Sequence, residues 1–193
     1  MSKKLILLDA YALIYRAHFA FIKNPRINSK GLNTSAIFGF CNSLLEVTNK
    51  FDPSHLGVVF DPPGGSDREG VFADYKANRQ EMPEDIRKAI PYIFDLLKAM
   101  NIKVEMEEGF EADDVIGTLA KQAEKKGFET YMMTPDKDFG QLVSDHIFIY
   151  KPGRSGNPSE ILGPKEVCEK FEVKDPLQVI DILGLWGDAV DNI

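Results

Sequence analysis

Two short apolar runs, each stopping at an aspartate, constrain this chain more than anything else in it. Leu5-Ile6-Leu7-Leu8 ends at Asp9, and His55-Leu56-Gly57-Val58-Val59-Phe60 ends at Asp61. A strand with one wet face alternates polar and apolar residues. An uninterrupted apolar run belongs instead to a strand covered on both faces, as in a parallel sheet. Ile102-Lys103-Val104, Phe128-Glu129-Thr130-Tyr131-Met132-Met133 and His146-Ile147-Phe148-Ile149-Tyr150 read as three further strands. Between the strands lie segments with helical spacing. They are Ala12 to Phe21, a helix capped by Thr34 that fades by Phe51, Glu84 to Met100, and the stretch after Glu111 that Gly127 stops. Shorter ones follow around Phe139 to Val143, Val167 to Phe171 and Pro176 to Leu185. The alternation argues an α/β domain with an open, mainly parallel sheet flanked by helices.

In such a sheet, ligands sit outside the carboxyl ends of the strands. Asp9 and Asp61 each follow a buried strand directly, and Asp136 and Asp138 follow Met133 by a few residues. Glu111, Asp113 and Asp114 open the helix after Ile102-Lys103-Val104. One acid in a helix's first turn opposes the macrodipole and needs no other purpose. Three together repel one another, and four connections would bring seven acids to one rim. Asp188 and Asp191, three residues apart, extend the set to nine. So many carboxylates cannot all ionise in one crevice without cations. A donor set of oxygens alone, with no His or Cys, selects hard ions: Mg²⁺, with Mn²⁺ able to substitute. Two such ions about 4 Å apart are suited to in-line displacement at a phosphodiester.

The stretch from Pro62 to Arg79 is the least core-like part of the chain, and Pro83 closes it. A polar excursion of this length inside a domain is usually functional or mobile. If helical, Tyr75-Lys76-Ala77-Asn78-Arg79 puts Lys76 and Arg79 one turn apart, placed to meet a scissile phosphate, with Tyr75 placed to stack on a base. Read alone, the same residues suit a solvated basic loop equally well. Arg16, beside Tyr15 and His18 and just past Asp9, is a further phosphate-contact candidate.

Composition narrows the partners. The 193 residues, 44% of them hydrophobic, support one substantial domain with a full core. A formal net charge of −7 excludes a global basic footprint, so nucleic acid must be met by a local basic patch and metal-neutralised acids. Cys41 and Cys168 lie far apart without metal-site spacing and read as reduced thiols of a cytoplasmic protein. The apolar run after Lys3-Lys4 is too short for a signal-peptide core, and no stretch approaches a membrane span.

Six motifs, in order and over the whole chain, carry a resemblance. They are Leu8-Asp9 with Tyr15-Arg16-Ala17; Val58-Val59-Phe60-Asp61 with Arg68; and Tyr75-Lys76-Ala77-Asn78-Arg79 with Met82-Pro83-Glu84-Asp85. Glu111-Ala112-Asp113-Asp114, Thr134-Pro135-Asp136-Lys137-Asp138 and Gly187-Asp188-Ala189-Val190-Asp191-Asn192 complete the set. The chain resembles the 5′ nuclease (flap endonuclease) family, most closely the N-terminal 5′→3′ exonuclease domain of bacterial DNA polymerase I. The resemblance implies a PIN-like or resolvase-like sheet with a helical arch inserted around residues 63–83. It implies metal ligation by Asp9, Asp61, Glu111, Asp113, Asp114, Asp136, Asp138, Asp188 and Asp191. It also implies catalytic roles for Lys76, Arg79 and Asp113, and nucleic-acid contacts from Arg16, Arg68, Tyr75, Lys76 and Arg79. The implied activity is divalent-metal-dependent hydrolysis of 5′ flaps and 5′ ends, in DNA and in RNA primers paired to DNA, during replication and repair. A monomeric unit fused to a polymerase domain is the implied context.

Departures from the family pattern are Ala10, where Gly is common, and Asp67, where an aromatic usually precedes the arch arginine. The family's helix–hairpin–helix element, which follows Gly-Asp-x-x-Asp-Asn, has no counterpart before Ile193, so residues 1–193 read as a truncated domain. That leaves open an alternative in which the chain binds metal and nucleic acid without cleaving. An aspartyl-phosphate hydrolase would need a second Asp at position 11, which is Tyr. A compact metal-dependent ribonuclease shares the acid rim but needs neither the 68–79 segment nor nine acids.

Overall fold

A computed structural model describes residues 3–64, 66–68, 81–153 and 158–187. Six strands, β1 (Lys3–Asp9), β2 (His55–Val59), β3 (Lys103–Glu105), β4 (Phe128–Met133), β5 (Ile147–Lys151) and β6 (Glu160–Leu162), form one sheet in the order β3-β2-β1-β4-β5-β6. β1 to β5 pair in parallel, and β6 runs antiparallel to β5. The helices are α1 (Ala10–Ala20), α2 (Ser35–Phe51), α3 (Glu84–Ala99), α4 (Ala112–Glu124), α5 (Pro164–Phe171) and α6 (Val179–Trp186), with 3₁₀ turns at Asp138–Leu142 and Pro176–Gln178.

The apolar runs are continuous because both faces of the sheet are covered. Ile6, Leu8, Val58 and Phe60 pack with Leu13 and Ile14 of α1, Phe40 and Leu44 of α2 and Ile86 and Ile93 of α3. Leu7, Val59 and Met132 face the other way, onto Ile116 and Ala120 of α4, Phe139, Val167 and Val179. Successive residues of a strand point to opposite layers, so every position in the run is buried. Each such side chain contributes about 1.5–3 kcal/mol of burial. The register sets Leu8 between Val58 on one side and Met133 on the other, so β1 is the central strand of the acid-bearing edge.

Local chemistry departs from expectation at one helix start, one cap and one added strand. α1 starts at Ala10 rather than Ala12, because Asp9 is its N-cap and its Oδ1 accepts from the Ala12 N–H at 3.2 Å. Thr34 does not cap α2 with its side chain; its hydroxyl donates to the Arg26 carbonyl at 2.9 Å. β6 carries three residues and no periodicity, and it is an addition to the five strands read from the sequence. Gly127 ends the α4 turn as expected, with φ at 76°. The arch segment 69–80 lies outside the described residues. Among the described residues no helix is long and apolar enough to cross a membrane.

α1 and α2 cross at Gly39. A Cβ there would stand 2.4 Å from Ala17 Cβ and 3.2 Å from Ala17 Cα. Gly39→Ala is therefore expected to destabilise by about 1–3 kcal/mol through overpacking, although alanine is the better helix former by about 1 kcal/mol. Urea melts check this, and Ala17→Gly in the same chain is expected to restore stability.

Candidate metal centre

The strand order reverses between β1 and β4, which makes a crevice outside their carboxyl ends. Asp9 closes β1 and is buried. Asp61 follows β2 by two residues, and its Oδ1 accepts from the Ala112 N–H at 2.8 Å, joining the end of β2 to the first turn of α4. Asp113 stands in that first turn, behind the buried N-cap Glu111. Asp136 follows β4, and its Oδ1 accepts from the Asp138 N–H at 2.9 Å, opening the 3₁₀ turn. Acids from four connections thus meet at one edge of the sheet.

Burial first, and mutual repulsion after it, raise two of these acids. Burial, followed by the charges of Asp9, Asp136, Asp61 and Glu111, pushes Asp113 up to about 8. Burial also raises Asp9 to about 6; the Ala12 N–H and the Thr134 hydroxyl oppose the rise, while Asp61 and Asp136 add to it. Five carboxylates therefore share one electrostatic neighbourhood. Among the described residues no three His, Cys, Asp or Glu are closed into a formed ligand group. Oxygen donors with excess negative charge fit a hard divalent ion.

Arg68 meets the outer acids. Its guanidinium donates to Glu111 Oε2 and to Asp114 Oδ1, each at 2.7 Å, and Ser66 Oγ donates to Glu111 Oε1 at 3.0 Å. Asp114 Oδ2 accepts from the Glu111 N–H at 3.2 Å, so the pair also caps α4. Arg68→Ala is expected to lower metal-free stability by about 1 kcal/mol, because the arginine is half exposed. Melting at low and at about 1 M salt checks this: the difference should shrink as screening rises.

Arg16 donates to the carbonyls of Pro152 and Gly153, tying α1 to the end of β5. Tyr75, Lys76, Arg79, Asp188 and Asp191 lie outside the described residues. In the sequence Thr134 stands only as a member of the Thr134-Pro135-Asp136-Lys137-Asp138 motif, with no role of its own. Its hydroxyl touches Asp9, and the signal that could have found it is a hydroxyl residue set between a buried strand and an acid.

An α/β sheet with an acid rim at its switch point is the class these observations define. Residues 4–172 match the family model described as 5′-3′ exonuclease, N-terminal resolvase-like domain, and the chain belongs to that family. It is 41% identical over 192 residues to DNA polymerase I of Bacillus subtilis, a match covering 99% of this chain and 21% of that protein. It is 39% identical over 191 residues to the 5′-3′ exonuclease of Aquifex aeolicus, covering 99% of this chain and 64% of that one. The chain thus spans about a fifth of the polymerase relative's length. Among solved structures it resembles the bacteriophage T5 5′-exonuclease with divalent zinc ions bound (TM-score 0.80, 19% identity, 99% of this chain and 69% of that one). It also resembles a bacteriophage T5 flap endonuclease in a pseudo-enzyme-product complex with DNA and metal ions (TM-score 0.78, 18% identity, 99% and 69%). At that identity the likeness is one of fold.

Proposed function

We propose that this chain is a divalent-metal-dependent 5′→3′ exonuclease and 5′-flap endonuclease unit that hydrolyses phosphodiesters in DNA and in RNA primers paired to DNA. The observation that carries the reading is the convergence of Asp9, Asp61, Glu111, Asp113 and Asp136, buried or half-buried, from four connections at the switch point, where burial and the neighbouring charges raise Asp113. The family membership and the metal-bound and DNA-bound relatives support it. Asp9, Asp61, Glu111, Asp113, Asp114, Asp136, Asp138, Asp188 and Asp191 would hold the ions, the first group mainly one Mg²⁺ and the later aspartates a second. Glu111 and Asp114 fix the start of α4 and complete the charge. Bound there, the two ions supply Lewis acidity and neutralise charge on the reacting phosphodiester, and Mn²⁺ can replace them. Lys76 and Arg79 contact the scissile phosphate and stabilise the charge that grows on it. Tyr75 stacks on a base of the 5′ strand, and Arg16 and Arg68 contact the backbone. The unit works as a cytoplasmic monomer on 5′ flaps and 5′ ends, and the polymerase relative favours a polymerase domain in the same protein.

A labelled 5′-flap duplex tests this with Mg²⁺, Mn²⁺ or EDTA. Metal-dependent cuts near the flap junction, abolished by EDTA, are expected. Mn²⁺ binding without cleavage would favour a metal- and nucleic-acid-binding fragment, and absence of both would sink the acid-rim argument.

A further inference from the structure

Resting on the metal-dependent reading above, we propose that Thr134 is a positioning residue whose hydroxyl sets the spacing of Asp9 and Asp136, and through it the divalent-metal affinity of the site. Thr134 follows β4 directly and is fully buried. Its Oγ1 donates to Asp9 Oδ2 at 3.0 Å and accepts from the Asp136 N–H at 3.2 Å. A hydroxyl has one proton to give. Here it goes to a carboxylate on the neighbouring strand, and a lone pair takes the backbone of the next acid along.

The contact is the middle of a relay. The Asp138 N–H donates to Asp136 Oδ1 at 2.9 Å, the Asp136 N–H donates to Thr134, and Thr134 donates to Asp9. The other oxygen of Asp9 accepts from Ala12. Pro135 between Thr134 and Asp136 fixes its own φ, so the hydroxyl-to-backbone bond two residues on completes a rigid turn. Asp9 and Asp136 are thereby referred to a single atom rather than to two independent loops. The hydroxyl stabilises the ionised form of Asp9 and holds Asp136 in register with it. Groups that orient a ligand in this way are part of the metal site without touching the metal.

Thr134→Ser and Thr134→Ala form the decisive pair, since both lack the methyl and only one keeps the hydroxyl. Mn²⁺ binding is measured by calorimetry on each, beside Thr134→Val, with metal-free melting as the check that each is folded. Loss of about tenfold or more in Mn²⁺ affinity is expected for Ala and Val, as for other orienting partners, with Ser within a few-fold of wild type. Flap cleavage should fall in Ala and Val at limiting metal and recover toward wild type as Mn²⁺ is raised, with KM for the flap little changed. Mn²⁺ affinity in Ala equal to wild type, or a loss in Ser as large as in Ala, would overturn the proposal. A wild type that binds no Mn²⁺ would instead remove the metal-dependent reading on which it rests. A wild type that binds Mn²⁺ and cuts nothing would remove the nuclease reading while leaving the Ser and Ala comparison intact.

Discussion

Asp113→Asn is expected to lose flap cleavage by at least about a hundredfold, since even outer-shell partners of a metal can cost that much. The same protein, free of metal, is expected to melt higher than wild type at neutral pH. The sign follows from the direction of the shift. Asp113 is raised from 3.8 to about 8 on folding, so the folded state binds the proton more tightly than the unfolded one. Its ionisation therefore contributes no penalty below pH 4, a growing one from pH 4 to 8, and a constant one above. At about 1.4 kcal/mol per unit, the penalty near pH 7 is of the order of a few kcal/mol. Asparagine removes the charge and the proton uptake together, and relieves Asp9 as well. A rise of several degrees in metal-free melting temperature follows, at about 2–4 °C per kcal/mol for a chain of this size. Melting scans at pH 5, 7 and 8.5 read this as a gap that widens with pH. Saturating Mn²⁺ should close or invert the gap, because the ion stabilises the wild type, which keeps every acid, more. Equal melting at pH 8.5 without metal would argue that Asp113 is not under repulsive load.

Phe60→Ala is expected to be the most damaging core change near the site, by about 3–5 kcal/mol in urea melts. Phe60 is fully buried, stacks on Phe94 with ring centroids 4.6 Å apart, and meets Tyr11 edge-on at 5.5 Å. Its N–H also extends the β2–β3 ladder to the Glu105 carbonyl at 3.0 Å. Removing the ring opens a cavity between the sheet and α1 and α3, one residue before Asp61. Mn²⁺ affinity should fall along with stability. Phe60→Leu, which fills most of the space, should cost far less in both readouts.

What could be read from the residues was whatever rests on periodicity and strand ends. The runs Leu5–Leu8 and Val58–Phe60 required two covered faces, and a parallel sheet with acids at its rim follows from that. Asp9 as a cap, by contrast, is decided by one side-chain rotamer. Thr34 had two partners within reach, the α2 amides and the Arg26 carbonyl, and local sequence does not rank them. Glu160–Leu162 is too short for any pattern, and only its neighbour β5 makes it a strand. The Arg68 clamp joins residues 43 and 46 positions apart, and the Thr134–Asp9 bond joins residues 125 apart. Such pairings are products of the closed sheet rather than of any stretch within it.

The adjacency of β1 and β4 has a consequence for how the protein comes into being. During synthesis the first strand leaves the ribosome long before its neighbour exists, since Leu8 pairs with Met133. Until then the central strand has only β2 beside it, and its apolar residues have one uncovered flank. Pairing across so long a loop is slow relative to local helix formation. The acids of β1 and of the turn after β4 therefore meet only once that long-range pairing has formed. Amides at the ends of β1 and β4 should exchange hydrogen only when the whole domain opens.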